Sequence, residues 1–475
     1  MAKAKQTFLD SSVLEIAVIF AAVIFAYASS LDGYFHGDDF IALVDAATKP
    51  MGKHLYEAVT FQDNNFYWRP LGQVYYRSIY EIAGLDATAF RIANLGLFLV
   101  TLAALHRLCL KLELSRPEAF AATLVFGLFP NHVVSVAWIT DGARLLAMAF
   151  FVFGLLTLAH AISRRSLWLE GLAWLLVLAA CFSDEVTIAM APVPIAYAVL
   201  VHREYLTPLK LAFRTLAYGA IVVALLPLQF MFTPDDEPRL TVYSVGWHIP
   251  EQAWALASQL ALPLAPSNPM DVPEVLIPDA QWIAGAVFIA VLGVCLLFGS
   301  GLVRFLVCWT IAALAPFTLW DLNVVAPRYV YLAGAPAAVL AVHLVFAAIE
   351  RVRFTHARLA LTGAAAAGLV AVAVFGIDKT RERDDAWVRA TRDYQVLAAE
   401  LTELYPDVSP GTHFVIMDGP AFPYWRWPVA AVRTVYRDRS LSATSVPPGW
   451  PVQVKAGDVV LYYDNGQIHL TGVKH

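Results

Sequence analysis

The sequence predicts a mainly α-helical, polytopic membrane protein that ends in a small α/β domain, and three observations lead there. Hydrophobic residues fill 59% of the 475 positions and charged residues only 15%, at a mean hydropathy of +0.61, whereas soluble domains are roughly 25% charged. Apolar runs long enough to cross a bilayer recur up to residue 377, about eleven by hydropathy. From residue 378 the composition turns to that of a soluble domain.

The first run, Val13 to Leu31, follows Lys3 and Lys5. Ala26-Tyr27-Ala28 resembles a small-residue cleavage site, but the run exceeds the ~7–15 residues of a signal-peptide core and reads as an anchor. Further runs lie near residues 90–110, 118–138, 144–162, 167–182, 186–202, 210–232, 280–299, 302–319, 328–349 and 358–377. Lys and Arg gather in the connections Lys111 to Arg116, Arg164-Arg165, His202 to Lys210 and Glu350 to Arg358, which the positive-inside rule makes cytoplasmic. The N-terminus is then cytoplasmic, and the segments 32–89, 139–143, 183–185, 233–279 and 320–327 and the tail face outwards. Long connections in a compact protein tend to carry function. Within 240–264, Pro250, Pro263 and several polar positions favour an interfacial or re-entrant helix over a span.

Residues 1–377 are therefore expected to form the membrane domain, with 32–89 as its first outer loop, and 378–475 a soluble extracytoplasmic domain. Trp387, Ala390, Tyr394, Leu397, Leu401 and Leu404 recur at helical spacing, predicting an amphipathic helix over 384–405 that ends before Pro406. His413 to Met417 reads as a strand, and Asp458 to Tyr463 leads through Asn465-Gly466 into Ile468 to Leu470 as a hairpin. Asp384, Asp385 and His413 read as helix-start and surface groups.

A net charge of -5 gives no basic excess, which excludes nucleic acid as a partner class because that binding rests on neutralising phosphates. Cys109, Cys181, Cys295 and Cys308 lack metal-ligand spacing and behave as small hydrophobes.

Chemistry concentrates on the outer side. His36-Gly37-Asp38-Asp39-Phe40 places two carboxylates a few residues past a membrane helix, where acids are costly and need a reason. Taken alone the pair is equally a helix start, since Asp is a favoured N-cap. Arg69 in Trp68-Arg69-Pro70-Leu71, Arg144 after Thr140-Asp141-Gly142-Ala143, and Arg328 in Arg328-Tyr329-Val330-Tyr331-Leu332 share that side. Each arginine alone reads as a snorkelling anchor; together they suit an anionic headgroup. His132 and Asp141 are further substrate-binding candidates, although a histidine at a helix end is more often structural; Glu185 equally suits a helix start. Tyr67, Trp68, Tyr75 and Tyr76 crowd the end of the first loop, where an interfacial aromatic belt competes with sugar stacking. Adjacent carboxylates suit Mg²⁺ or Mn²⁺, but the sequence offers no third and fourth ligand. No cofactor is therefore implied, and activity is expected to survive chelation.

Phe129-Pro130-Asn131-His132, Val136-Ala137-Trp138-Ile139 and Ala143-Arg144-Leu145-Leu146-Ala147, with Arg69-Pro70-Leu71, Asn94, Ser183-Asp184-Glu185 and Arg328-Tyr329-Val330-Tyr331-Leu332, are arranged in an order that resembles bacterial relatives of the transmembrane O-mannosyltransferases with tetratricopeptide repeats. Those belong to the GT-C glycosyltransferases, and the resemblance covers roughly residues 10–350 without the repeats. It implies a GT-C-like bundle and a polyprenyl-phosphate-linked sugar donor. It also implies transfer to a glycan, lipid or protein hydroxyl at the outer face of the plasma (inner) membrane. An acid of the first loop is the family's catalytic carboxylate, a role that falls on Asp38, with Asp39 as neighbour or alternate. Arg69, Arg144 and Arg328 then bind the donor phosphate, while Tyr67, Trp68, His132, Asp141, Glu185, Tyr329 and Tyr331 line the substrate. Asp184 stands where the family has lysine, which removes a cation. The alternatives are a transporter or flippase of lipid-linked saccharides, with arginines along its path, and an enzyme of the O-antigen ligase or polymerase type with a diphosphate-linked donor.

Overall fold

A computed structural model describes the chain apart from residues 1, 61, 63–66, 204–206, 232–242, 264–278, 321–324, 418–425, 447–453, 456, 465–466 and 471–475. The anchor α1 (Ala2–Ala26) runs through a 3-10 turn, Ala28–Asp32, towards three helices of the first loop: α2 (Asp38–Thr48), α3 (Met51–Val59) and α4 (Pro70–Ala83). The bundle continues with α5 (Ala87–Lys111), α6 (Arg116–Gly127), α7 (Val133–Ala137), α8 (Gly142–Arg164), α9 (Leu167–Ser183) and α10 (Val193–Leu200). It closes with α11 (Pro208–Met231), α12 (His248–Ala261), α13 (Asp279–Phe298), α14 (Gly301–Thr318), α15 (Tyr331–Glu350) and α16 (Thr355–Leu404).

Sequence-local signals set many of these ends. Asp86 caps α5 by accepting from the Thr88 N–H, Ser115 and Glu118 form a capping box on α6, and Ser166 and Ser300 cap α9 and α14. Among the described residues, seven helices are long and apolar enough to cross a membrane: α5, α8, α11, α13, α14, α15 and α16. α6 and α7 together make an eighth span, bent by 50°. Three shorter apolar helices, Ser12–Ala26, Leu167–Ser183 and Glu185–Leu200, occupy the remaining runs. Leu216 and Val223 on α11 and Val287, Leu297 and Phe298 on α13 are exposed, an arrangement that only lipid makes favourable. The chain is a multi-pass membrane protein.

The bend in the expected 118–138 span follows from Pro130, which has no N–H to continue the ladder. α12, in the region expected to be interfacial, has 14 residues, too few for a bilayer core of ~30 Å. The expected span 358–377 and the expected helix 384–405 are one helix, α16, of 50 residues, ~75 Å long at 1.5 Å per residue. No glycine or proline lies between Ile377 and Leu404 to stop it, so the boundary at 378 falls inside a helix.

α16 thus carries the chain out of the bundle into a four-stranded sheet of order β2-β1-β3-β4, made from β1 (His413–Met417), β2 (Ser442–Val446), β3 (Val459–Asp464) and β4 (Gln467–Leu470). β1 pairs in parallel with β2 (Phe414 opposite Ala443) and β3 (Phe414 opposite Val459), and β3 pairs antiparallel with β4. The expected turn Asn465-Gly466 lies outside the described residues. α17 (Arg426–Tyr436) connects β1 to β2, and its Val432 packs with Phe414, Leu461 and Leu401 beneath the sheet.

Candidate active site

Gly37, at a φ of +46°, turns the chain into α2, and both acids occupy the first helical turn, where the helix dipole favours negative charge. Their surroundings differ. Asp39 is fully buried: its Oδ1 accepts the Thr140 N–H at 2.8 Å and the Thr140 hydroxyl at 2.6 Å, and its Oδ2 accepts the His36 N–H at 2.9 Å. Burial pushes its carboxyl up to about 7, against the opposing Thr140 bonds and the nearby Arg91 cation. Asp38 is only half-buried, and its Oδ1 accepts the Trp427 indole N–H at 2.7 Å.

The arginines gather on a different acid. Arg69, just ahead of α4, places Nε 2.5 Å and Nη2 2.9 Å from the two Glu185 carboxylate oxygens, with Nη2 3.1 Å from Asp184. Arg144, in the first turn of α8, reaches Asp184 at 2.9 Å and Asp141 at 3.1 Å. Asp184 thus bridges two guanidinium groups. Burial pushes Asp184 up, but Arg69 and Arg144 outweigh it and hold the carboxyl below its usual range. Arg69 and Arg144, which the sequence puts on the same side as Asp38 and Asp39, are paired with other acids: guanidinium groups enclosed in the fold need carboxylates in contact, and Asp184, Glu185 and Asp141 supply them.

Thr140 and Tyr76 join the two clusters. The Tyr76 hydroxyl donates to the Thr140 carbonyl and accepts the Ala143 N–H at 3.2 Å, so the residue that holds Asp39 also leads into the turn bearing Asp141 and Arg144. Arg328 is half-buried, its guanidinium 4.6 Å from the centre of the Trp138 ring and 5.0 Å from that of Tyr329, both within cation–π range. The Tyr329 ring in turn stacks on Phe317 at 4.9 Å.

The remaining candidates divide. Tyr67 lies under Arg69 at 4.7 Å and faces Trp320, so it belongs to the charged cluster. Trp68 is buried edge-on against Phe182, and its indole N–H donates to the Ala58 carbonyl. His132 is fully buried beside Phe126, Phe129 and Tyr331, with Nδ1 3.0 Å from the Phe126 carbonyl oxygen. That is the setting of a packing group, and Tyr331 shares it. Asp141 accepts the Ser135 hydroxyl at 3.0 Å in addition to its arginine. Among the described residues no group of three His, Cys, Asp or Glu side chains is placed to hold a metal ion.

Sequence reasoning missed one side chain of this region and misplaced another. Trp427, on α17, covers the first loop: its ring is 5.6 Å from His36, itself 5.3 Å from Trp387 and 4.8 Å from Tyr394. A methyl group on Gly37 would lie 2.8 Å from that indole. The available signal was the aromatic run Tyr424-Trp425-Arg426-Trp427. Asp384, expected on the surface, is buried and accepts the Ser30 N–H at 2.6 Å, because α16 runs against the turn after α1; His413 is half-buried in β1 and bonds Ser442. Between α6, α12, α13, α15 and α16 lies an apolar cavity of about 610 Å³ lined by Phe126, Phe129, Leu260, Phe288, Ala338 and Gly376. At its rim the Pro263 carbonyl accepts from Arg383 at 2.9 Å.

No family model matches the chain, and no curated protein does. Solved structures do. ArnT from Cupriavidus metallidurans in the apo state is similar at 13% identity and a TM-score of 0.52, over 92% of this chain and 85% of that one. The archaeal oligosaccharyltransferase AglB from Archaeoglobus fulgidus, in complex with an inhibitory peptide and a dolichol-phosphate, is similar at 12% identity and a TM-score of 0.51. That match covers 92% of this chain and 64% of AglB. Over 92% of its length the chain therefore shares the fold of these two structures, in keeping with the GT-C-like polytopic bundle expected from the sequence.

Proposed function

We propose that the protein is a glycosyltransferase that moves a sugar from a polyprenyl-phosphate-linked donor to a hydroxyl acceptor at the extracytoplasmic face of the membrane. The observation that carries this reading is the division of labour in the first loop: Asp39 is buried and held by three hydrogen bonds, whereas Asp38 is half-buried beside it. Asp38 is the base. It takes the proton of the acceptor hydroxyl as that oxygen bonds to the anomeric carbon. The bond from that carbon to the donor phosphate breaks with inversion, and polyprenyl phosphate leaves with the electron pair. A positioned base contributes ~10²–10⁴ to such a step.

Arg328, over its aromatic faces, meets the donor phosphate, backed by Arg69 and Arg144 in their carboxylate frame. These cations favour the charge that develops on the leaving group. The apolar cavity beside α16 suits an isoprenoid tail. The dolichol-phosphate in the AglB structure, which shares this fold, supports a lipid phosphate as the donor's leaving group.

The test is a proteoliposome assay with an undecaprenyl-phosphate-linked, radiolabelled monosaccharide and a cell-envelope extract as acceptor mixture. The expected result is acceptor labelling with stoichiometric release of undecaprenyl phosphate. Movement of the intact lipid-linked sugar between leaflets with no release would overturn the reading in favour of a transporter.

A further inference from the structure

We propose that Trp427 is a positioning residue for Asp38, so that the C-terminal domain completes the active site. The inference rests on reading Asp38 as the base. Two side chains 389 positions apart meet at 2.7 Å, indole N–H to carboxylate oxygen. An indole N–H has one direction in which to donate, so the contact fixes the rotation of the carboxylate about its Cβ–Cγ bond.

The indole is itself held. Trp427 is 5% exposed, on an α17 that is seated on α2, where the Thr434 hydroxyl donates to the Phe40 carbonyl at 3.2 Å. Gly37, with no side chain, lets the ring approach the turn that launches Asp38; any Cβ there would collide with it. His36 packs between this ring and Trp387 and Tyr394 of α16. The geometry therefore links the direction of the Asp38 carboxylate to the seating of the C-terminal domain. A neutral donor on the carboxylate also favours its charged form, so removing it weakens that form as well as loosening its aim.

The experiment uses the full-length protein with ¹⁵N-labelled indoles in lipid nanodiscs, and the undecaprenyl-phosphate-linked monosaccharide assay. The Trp427 indole resonance, identified by its loss in Trp427→Phe, is expected to move as the carboxylate titrates, and to shift and lose its pH dependence in Asp38→Asn. Trp427→Phe keeps a ring over Gly37 and is expected to lower kcat roughly tenfold with little change in KM, and to move the acidic limb of the pH profile upwards. Adding Trp427→Phe to Asp38→Asn should cost nothing further, as for two groups acting through one function. Asp38→Asn inactive, with Trp427→Phe at wild-type kcat and pH profile, overturns the positioning role alone. Asp38→Asn at the wild-type rate overturns the base reading. An indole resonance identical in wild type and Asp38→Asn removes the contact itself.

Discussion

Asp39 keeps its carboxylate away from water, with Thr140 on one oxygen and the His36 amide on the other. Its folded pKa of about 7 lies above the ~3.9 of an exposed aspartate. The folded chain therefore binds this proton more tightly than the unfolded chain. The resulting stability is complete below pH ~4 and is lost as pH rises through about 7. Asp39→Asn is predicted to remove that slope, and to cost ~1–3 kcal/mol because an amide N–H then faces the His36 N–H. Thermal unfolding in detergent across pH 4–8 measures both, and an unchanged slope contradicts the assignment. Asp184 carries the opposite burden, as the shared counter-charge of Arg69 and Arg144. Asp184→Asn should destabilise by ~3–5 kcal/mol, the cost of opening a buried ion network, read in the same unfolding assay. The acids were legible as candidates because adjacent carboxylates past a membrane helix stand out in so apolar a sequence. Which one is enclosed was not, because Thr140, which encloses Asp39, is 101 positions away.

At the scale of elements, the turn into α8 depends on Gly142, where a methyl group would lie 2.5 Å from the Asn94 side-chain oxygen and 2.6 Å from the Tyr75 ring. Gly142→Ala is predicted to destabilise by ~1–3 kcal/mol through overpacking and to lower transfer by displacing the adjacent Asp141 and Arg144; wild-type melting and transfer would contradict it. Hydropathy alone located the membrane helices, because lipid demands long apolar runs whatever the tertiary packing. It missed the continuity of α16, since charged residues from Asp378 to Asp385 end a membrane span without ending a helix. β2, Ser442–Val446, was also missed: its small polar side chains lack the apolar alternation that marks a strand, and its pairing with β1 decides it. α17 escaped for a similar reason, its aromatic start resembling a loop.

For the whole molecule, α16 is the strut that joins bundle and sheet, and α17 returns the sheet domain to the first loop. The charged cluster, the first loop and the C-terminal domain therefore belong to one end of the bundle, the end that the proposed function requires to face outwards. An impermeant maleimide should label Glu403→Cys in intact cells and Arg164→Cys only after permeabilisation; the reverse pattern would invert the topology. The four native thiols interfere little, since three are buried and Cys308 is partly so. The architecture of the bundle was legible from composition and period, while the closure of its site by a distant domain depends on contacts that sequence spacing does not encode. Whether Asp38 is the base is decided by transfer from the undecaprenyl-phosphate-linked monosaccharide in Asp38→Asn and Asp39→Asn, at matched levels of folded protein. Asp38→Asn is expected to lose ~10²–10⁴ in rate and Asp39→Asn to keep measurable residual transfer; transfer at the wild-type rate by Asp38→Asn would overturn the role of Asp38 as base.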